Sequence, residues 1–163
     1  MSDGVAILLA EDREEDIILI QKAFEKGGIH NPLFIVRSGE EAINYLSGIG
    51  RFSNRTEYPL PVLLLLDLKM PGTDGFDVLR WIKSQESLNS LRTVVLTSSE
   101  SIRDVDMAYK LGATSFLVKP MDFVDTVEMA KTMTRYWLGM NMTSGPSSAW
   151  VPSKIPKTNP GNP

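Results

Sequence analysis

The sequence predicts an α/β fold: a doubly wound, five-stranded parallel sheet flanked by five helices. Short apolar runs alternate five times with amphipathic segments. The runs are four to six residues long, the length of buried strands. Strands alternating with helices imply parallel pairing through right-handed crossovers. No repeat of fixed period is present.

The elements follow in order. Val5–Ala10 is the first apolar run and the first strand. Residues 13 to 26 carry Ile17, Ile20 and Phe24 at helical spacing, and Gly27–Gly28 ends that helix. Leu33–Val36 is the second strand. Ser38, with Glu41 three residues on, reads as a capping box for a helix through Leu46. Val62–Leu66 is apolar throughout, as a central strand covered on both faces must be. Phe76, Leu79 and Ile82 mark the third helix, with Lys83 exposed. Thr93–Leu96 and Ser115–Val118 are the last two strands, followed by helices near 101–110 and 121–138. In the final helix Phe123, Val127, Ala130, Met133 and Trp137 form one apolar face. The strand order 2-1-3-4-5 is taken from common doubly wound sheets rather than from these residues.

Two segments depart from this alternation. Residues 48–61 form a long loop before the third strand. Residues 143–163 hold half of the 10 prolines, together with Ser, Asn and Gly. Such a composition buries too little apolar surface to offset ordering entropy, so this tail is expected to be disordered. A folded domain at 1–142, with its core at 5–138, therefore precedes a Pro/Ser-rich tail.

Composition narrows the function. The net charge of -3 offers no basic field for direct nucleic-acid binding. The absence of cysteine excludes disulfides and thiolate metal sites. The start, MSDGVAILLA, is too short in its apolar run for a signal peptide or a membrane span. A cytoplasmic location without a membrane partner is expected. His30 has no companion ligands, Trp150 stands alone in the tail, and the eight methionines are scattered.

The strand ends carry the chemistry. In a doubly wound sheet ligands bind beyond the carboxyl ends of the strands. There the sequence puts Glu11 and Asp12 after the first strand and Asp67 after the third. Thr97 and Ser98 follow the fourth, and Lys119 and Pro120 the fifth. Each residue alone suits a cap or a turn. Together they place three carboxylates, a hydroxyl and an amine on one rim. Clustered carboxylates need a cation, and oxygen ligands select a hard ion, Mg2+ first. Asp12 and Asp67 could ligate it directly, with Glu11 acting through water. An aspartate can attack phosphorus to give an acyl phosphate. Lys119 and Thr97 could then serve the phosphoryl oxygens.

Four segments carry a family resemblance: ILLAED, LLLLDLKMPGTDGFDVL, VVLTSS and LGATSFLVKP. Over residues 5 to 138 the chain resembles the receiver domain of two-component response regulators, with their flavodoxin-like fold. The resemblance implies that Asp67 accepts a phosphoryl group from the phosphohistidine of a sensor histidine kinase or phosphotransfer protein. It implies Mg2+ held by Asp12, Asp67 and the Lys69 backbone carbonyl, with Glu11 behind a water. It gives Lys119 to the phosphoryl group, with a cis bond to Pro120, and makes Thr97 and Phe116 the switch pair. It expects the face of the fourth helix, fifth strand and fifth helix to control partner binding or dimerisation. The only chemistry implied is self-catalysed phosphotransfer and autodephosphorylation, so the protein is not expected to be an enzyme acting on other substrates.

Glu11 replaces a frequent aspartate, and Phe116 a frequent tyrosine that could donate a hydrogen bond. The loop 48–61 and the helix end Arg135–Leu138 are similar to the stand-alone regulators that partner bacterial phytochromes. A phytochrome-type kinase is therefore a candidate partner. Kinase docking is expected on the first helix, through Ile17 or Ile18, and on the Lys119–Pro120 loop.

The other readings fare less well. A phosphohydrolase would need an acid–base aspartate where Lys69 stands. A nucleotide or flavin binder would need a glycine-rich loop after the first strand, where Ala10–Glu11–Asp12 lies. A receiver-like binding module that acts without phosphorylation remains the alternative.

Overall fold

The computed structural model describes residues 5–98 and 101–138. The tail at 143–163, including Trp150, lies outside the described residues. The strands are β1 (Ile7–Ala10), β2 (Leu33–Val36), β3 (Leu63–Leu66), β4 (Arg92–Thr97) and β5 (Ser115–Val118). The helices are α1 (Glu14–Lys26), α2 (Gly39–Ser47), α3 (Gly75–Lys83), α4 (Ile102–Lys110) and α5 (Phe123–Leu138). The sheet is parallel throughout and ordered β2-β1-β3-β4-β5, as expected.

Period-two alternation splits the sheet residues between two cores. Leu8, Ala10, Leu64, Leu66, Val95 and Phe116 pack toward α2, α3 and α4. Ile7, Leu9, Leu63, Leu65, Val94, Leu96 and Leu117 pack toward α1 and α5. Both faces of β1 and β3 are covered, which is why these strands are apolar at every position.

Several expectations are sharpened. Ser38 caps α2 by accepting from the Glu41 N–H at 3.1 Å. Glu41 reaches back one residue further than a capping box requires, to the Arg37 N–H at 2.8 Å. The full capping box lies instead at Asp74 and Asp77, opening α3. Val62 precedes β3 and is exposed. Phe123 departs from the apolar face of α5: as the first residue of the helix it is 36% exposed and is not among the buried positions Val127, Ala130 and Met133. Trp137 does pack on that core, with the Arg92 guanidinium 5.4 Å from its ring centre.

The segment 48–61 is built rather than loose. Arg55 donates to the carbonyls of Tyr45 and Leu46, both at 2.8 Å, and of Tyr58 at 3.1 Å. It thereby satisfies the Leu46 carbonyl at the end of α2 and adds a second donor to that of Tyr45, which already accepts from the Gly48 N–H. Phe52 and Tyr58 close on Tyr45 with ring centres 5.0 to 5.9 Å apart.

Candidate functional site

The parallel sheet delivers its strand ends to one rim. Glu11 and Asp12 leave β1, Asp67 leaves β3, Thr97 closes β4 and Lys119 follows β5. One carboxylate oxygen from each of Glu11, Asp12 and Asp67 lies within 4.8 Å of the others. Lys119 enters the same cluster. Its Nζ lies 2.6 Å from Glu11 Oε1 and 3.6 Å from Asp67 Oδ2. The Lys119 N–H donates to Thr97 O at 2.8 Å, which registers the lysine beside β4.

Burial sets the electrostatics. The Glu11 side chain is 1% exposed and that of Asp67 is 5%. Burial pushes the Glu11 carboxyl up to about 7, with Lys119 opposing and the Asp67 charge adding to the rise. Burial by itself would lower Lys119. Its hydrogen bonds to Asp16 and Glu11 and the charge of Asp67 outweigh that, so the ammonium titrates above its ordinary value. Lys119 stays charged among acidic partners.

The residues present fit a divalent cation. Asp12 Oδ1 is buried and has no hydrogen-bond donor. Leaving such an oxygen unpaired is costly unless something else satisfies it. The donors are all oxygen, as hard ions prefer. Lys69 reaches the same rim, its N–H 3.3 Å from Asp67 Oδ1. Its side chain turns away to Asp104 on α4, at 3.4 Å.

Gly75 explains part of the precision. A Cβ there would lie 2.6 Å from Asp67 O and 2.7 Å from Leu68 Cα. The helix start therefore seats directly on the backbone that carries Asp67.

One expectation is corrected. No cis peptide bond occurs among the described residues, so Lys119–Pro120 is trans, the form that X–Pro bonds favour. Phe116 is fully buried in the core beneath α4. Thr97 is fully buried too. Ile17 faces the core and Ile18 is exposed, which leaves Ile18 as the surface candidate on α1. His30 is exposed.

Asp16, on the first turn of α1, was not legible in advance. Its Oδ2 lies 2.8 Å from Lys119 Nζ. It lies on a helix rather than at a strand end, so a search of strand ends passes over it.

A β2-β1-β3-β4-β5 sheet with an acidic rim and a half-buried lysine defines the receiver class of signalling domains. Residues 7–131 match the response regulator receiver domain, and the chain belongs to that family. Within it, the chain is 38% identical to the probable methanogenesis regulatory protein FilR2 of Methanothrix harundinacea, covering 89% of this chain and 91% of that protein. It is 36% identical to the response regulator Rcp1 of Synechocystis, covering 81% and 88%. The Mn2+-bound structure of Rcp1 superposes with a TM-score of 0.74 at 34% identity, over 88% of this chain and 99% of that one. The phosphorylated cyanobacterial phytochrome response regulator RcpA gives 0.77 at 33% identity, with the same coverage. The likeness to regulators of the phytochrome-associated type thus extends over most of the chain. Among the described residues no helix is long and apolar enough to cross a membrane.

Proposed function

We propose that the protein is a phosphorylation switch that accepts a phosphoryl group on Asp67 from the phosphohistidine of a sensor kinase or phosphotransfer protein. One observation carries this reading: Asp67 sits in a cluster of three carboxylates, two of them buried, with Lys119 beside it and an Asp12 oxygen left without a donor. Asp12, Asp67 and the Lys69 carbonyl would hold Mg2+, with Glu11 behind a water. Bound there, the ion would neutralise charge on the phosphoryl oxygens of the anionic donor.

The chain's own residues supply the rest. The Asp67 carboxylate forms a new O–P bond as the P–N bond to the donor histidine breaks. Lys119 pairs with a phosphoryl oxygen and Thr97 donates to another. The phosphoryl group adds about two negative charges to the rim. That charge favours the packing in which Thr97 and Lys119 are drawn toward it. Phe116 beneath α4 relays the change as a shift in population between two packings. The α4–β5–α5 face then alters its affinity for a partner or for a second copy. The reading includes no turnover of other substrates.

Ile18, Met121 in the loop after β5 and Val124 in the first turn of α5 are exposed and offer an apolar approach for a kinase helix. The likeness to Rcp1 and RcpA favours a phytochrome-type kinase as donor, in the cytoplasm. Incubation with acetyl phosphate and Mg2+ tests the assignment. The wild type should gain one phosphoryl group by intact mass, and Asp67→Asn should gain none while keeping its circular dichroism. Equal labelling of both would refute it.

A further inference from the structure

We propose that Asp16 is a positioning residue that competes with the phosphoryl group for Lys119 and so holds the switch in its resting state. The inference rests on the phosphoacceptor reading above.

An ammonium carries three donors. In the structure Lys119 gives its two short contacts to Glu11, at 2.6 Å, and Asp16, at 2.8 Å. Asp67 lies beyond hydrogen-bond range at 3.6 Å. The lysine is thus drawn to the α1 side of the rim and away from the carboxylate to be phosphorylated. Glu11 belongs to the acidic triad, whereas Asp16 lies outside it. Asp16 therefore remains a Lys119 partner when the triad is engaged by a cation. The pair is sheltered, with side chains 13% and 24% exposed, so solvent screens it less than a surface bridge. Arg13, 3.7 Å from Asp16, is 60% exposed and competes weakly.

Two effects act in the same direction. A contact made only at rest must be loosened before Lys119 can serve a phosphoryl oxygen, so removing it favours the phosphorylated form. Removing a negative charge beside an anion site favours that anion directly. Asp16→Asn should therefore bind the anion more tightly. Glu15→Gln removes the same charge one residue away, from a side chain that is 75% exposed and turned to Arg13. It separates a general charge effect from one routed through Lys119.

The experiment titrates the full chain with beryllium fluoride at saturating Mg2+, followed by tryptophan fluorescence or amide NMR shifts. Asp16→Asn and Asp16→Ala should lower the half-saturating concentration roughly fivefold or more. Glu15→Gln should change it less than twofold. Unchanged or weaker binding by both Asp16 variants overturns the proposal, as does an equal gain from Glu15→Gln. If the wild type binds no beryllium fluoride, or Asp67→Asn binds it equally well, the phosphoacceptor reading falls first and this one with it.

Discussion

At the scale of single residues, the rim is a place where stability is given up for chemistry. Three carboxylates share a few ångströms, and one Asp12 oxygen is buried without a donor. Like charges at that distance repel unless a cation intervenes. Asp12→Asn removes one charge at nearly constant shape. In chelator it should raise unfolding stability by about 1 kcal/mol, the usual scale for relieving a functional site. The same variant should lose most of the stabilisation that Mg2+ gives the wild type, since a ligand stabilises only the form it binds. Urea unfolding with and without Mg2+ checks both halves. A variant less stable than wild type in chelator would show that Asp12 is held by something other than a cation. The strand-end residues Glu11, Asp12, Asp67, Thr97 and Lys119 were legible because sheet topology converts sequence position into shared space. Asp16 was not, because which face a helix turns to its neighbour depends on packing angle.

At the scale of elements, the five strands and five α-helices were legible from apolar runs, spacing and caps, while the short 3-10 turns Gly50–Phe52 and Glu86–Leu88 and the contacts between elements were not. The third helix shows the difference. Its apolar positions predict a helix, but nothing in them says that Gly75 must touch the backbone of Asp67. Gly75→Ala would drive a methyl group to within 2.6 Å of Asp67 O, where backbone cannot yield cheaply. Overpacking of this kind costs about 1–3 kcal/mol. The shift falls on the residue proposed to take phosphorus, so acetyl phosphate labelling should slow along with the loss in urea midpoint. Loss of stability with an unchanged labelling rate would mean that α3 can back away without moving Asp67. The segment 48–61 carries the same lesson. Its length and prolines suggest a loop, whereas Arg55 and the ring cluster of Phe52, Tyr45 and Tyr58 make it part of the α2 side of the core.

At the scale of the whole molecule, the two faces of the sheet differ in chemistry, and alkaline pH should expose the difference. The face under α2, α3 and α4 holds two buried phenols. Tyr45 donates to Pro59 O at 3.0 Å, and Tyr109 accepts from the Phe116 N–H at 3.1 Å. The core residues under α1 and α5 include no tyrosine among the described residues. Burial pushes Tyr45 up to about 12, with Arg55 opposing and Tyr58 adding, and burial raises Tyr109 in the same direction. A folded-state value above the unfolded one means that the unfolded chain releases the proton first. The stabilising difference is therefore whole below pH 10 and is lost as pH climbs from 10 toward about 12. A gap of about 2 units at Tyr45 corresponds to about 3 kcal/mol across that window. Tyr45→Phe should leave the protein's stability flatter between these pH values, at the cost of the Pro59 contact at neutral pH. Unfolding followed against pH, with tyrosinate absorbance as a second probe, tests this. Amide exchange should rise first in α2, in α4 and at Phe116, while α1 and α5 stay protected. Simultaneous loss on both faces would show that the two cores open as one cooperative unit.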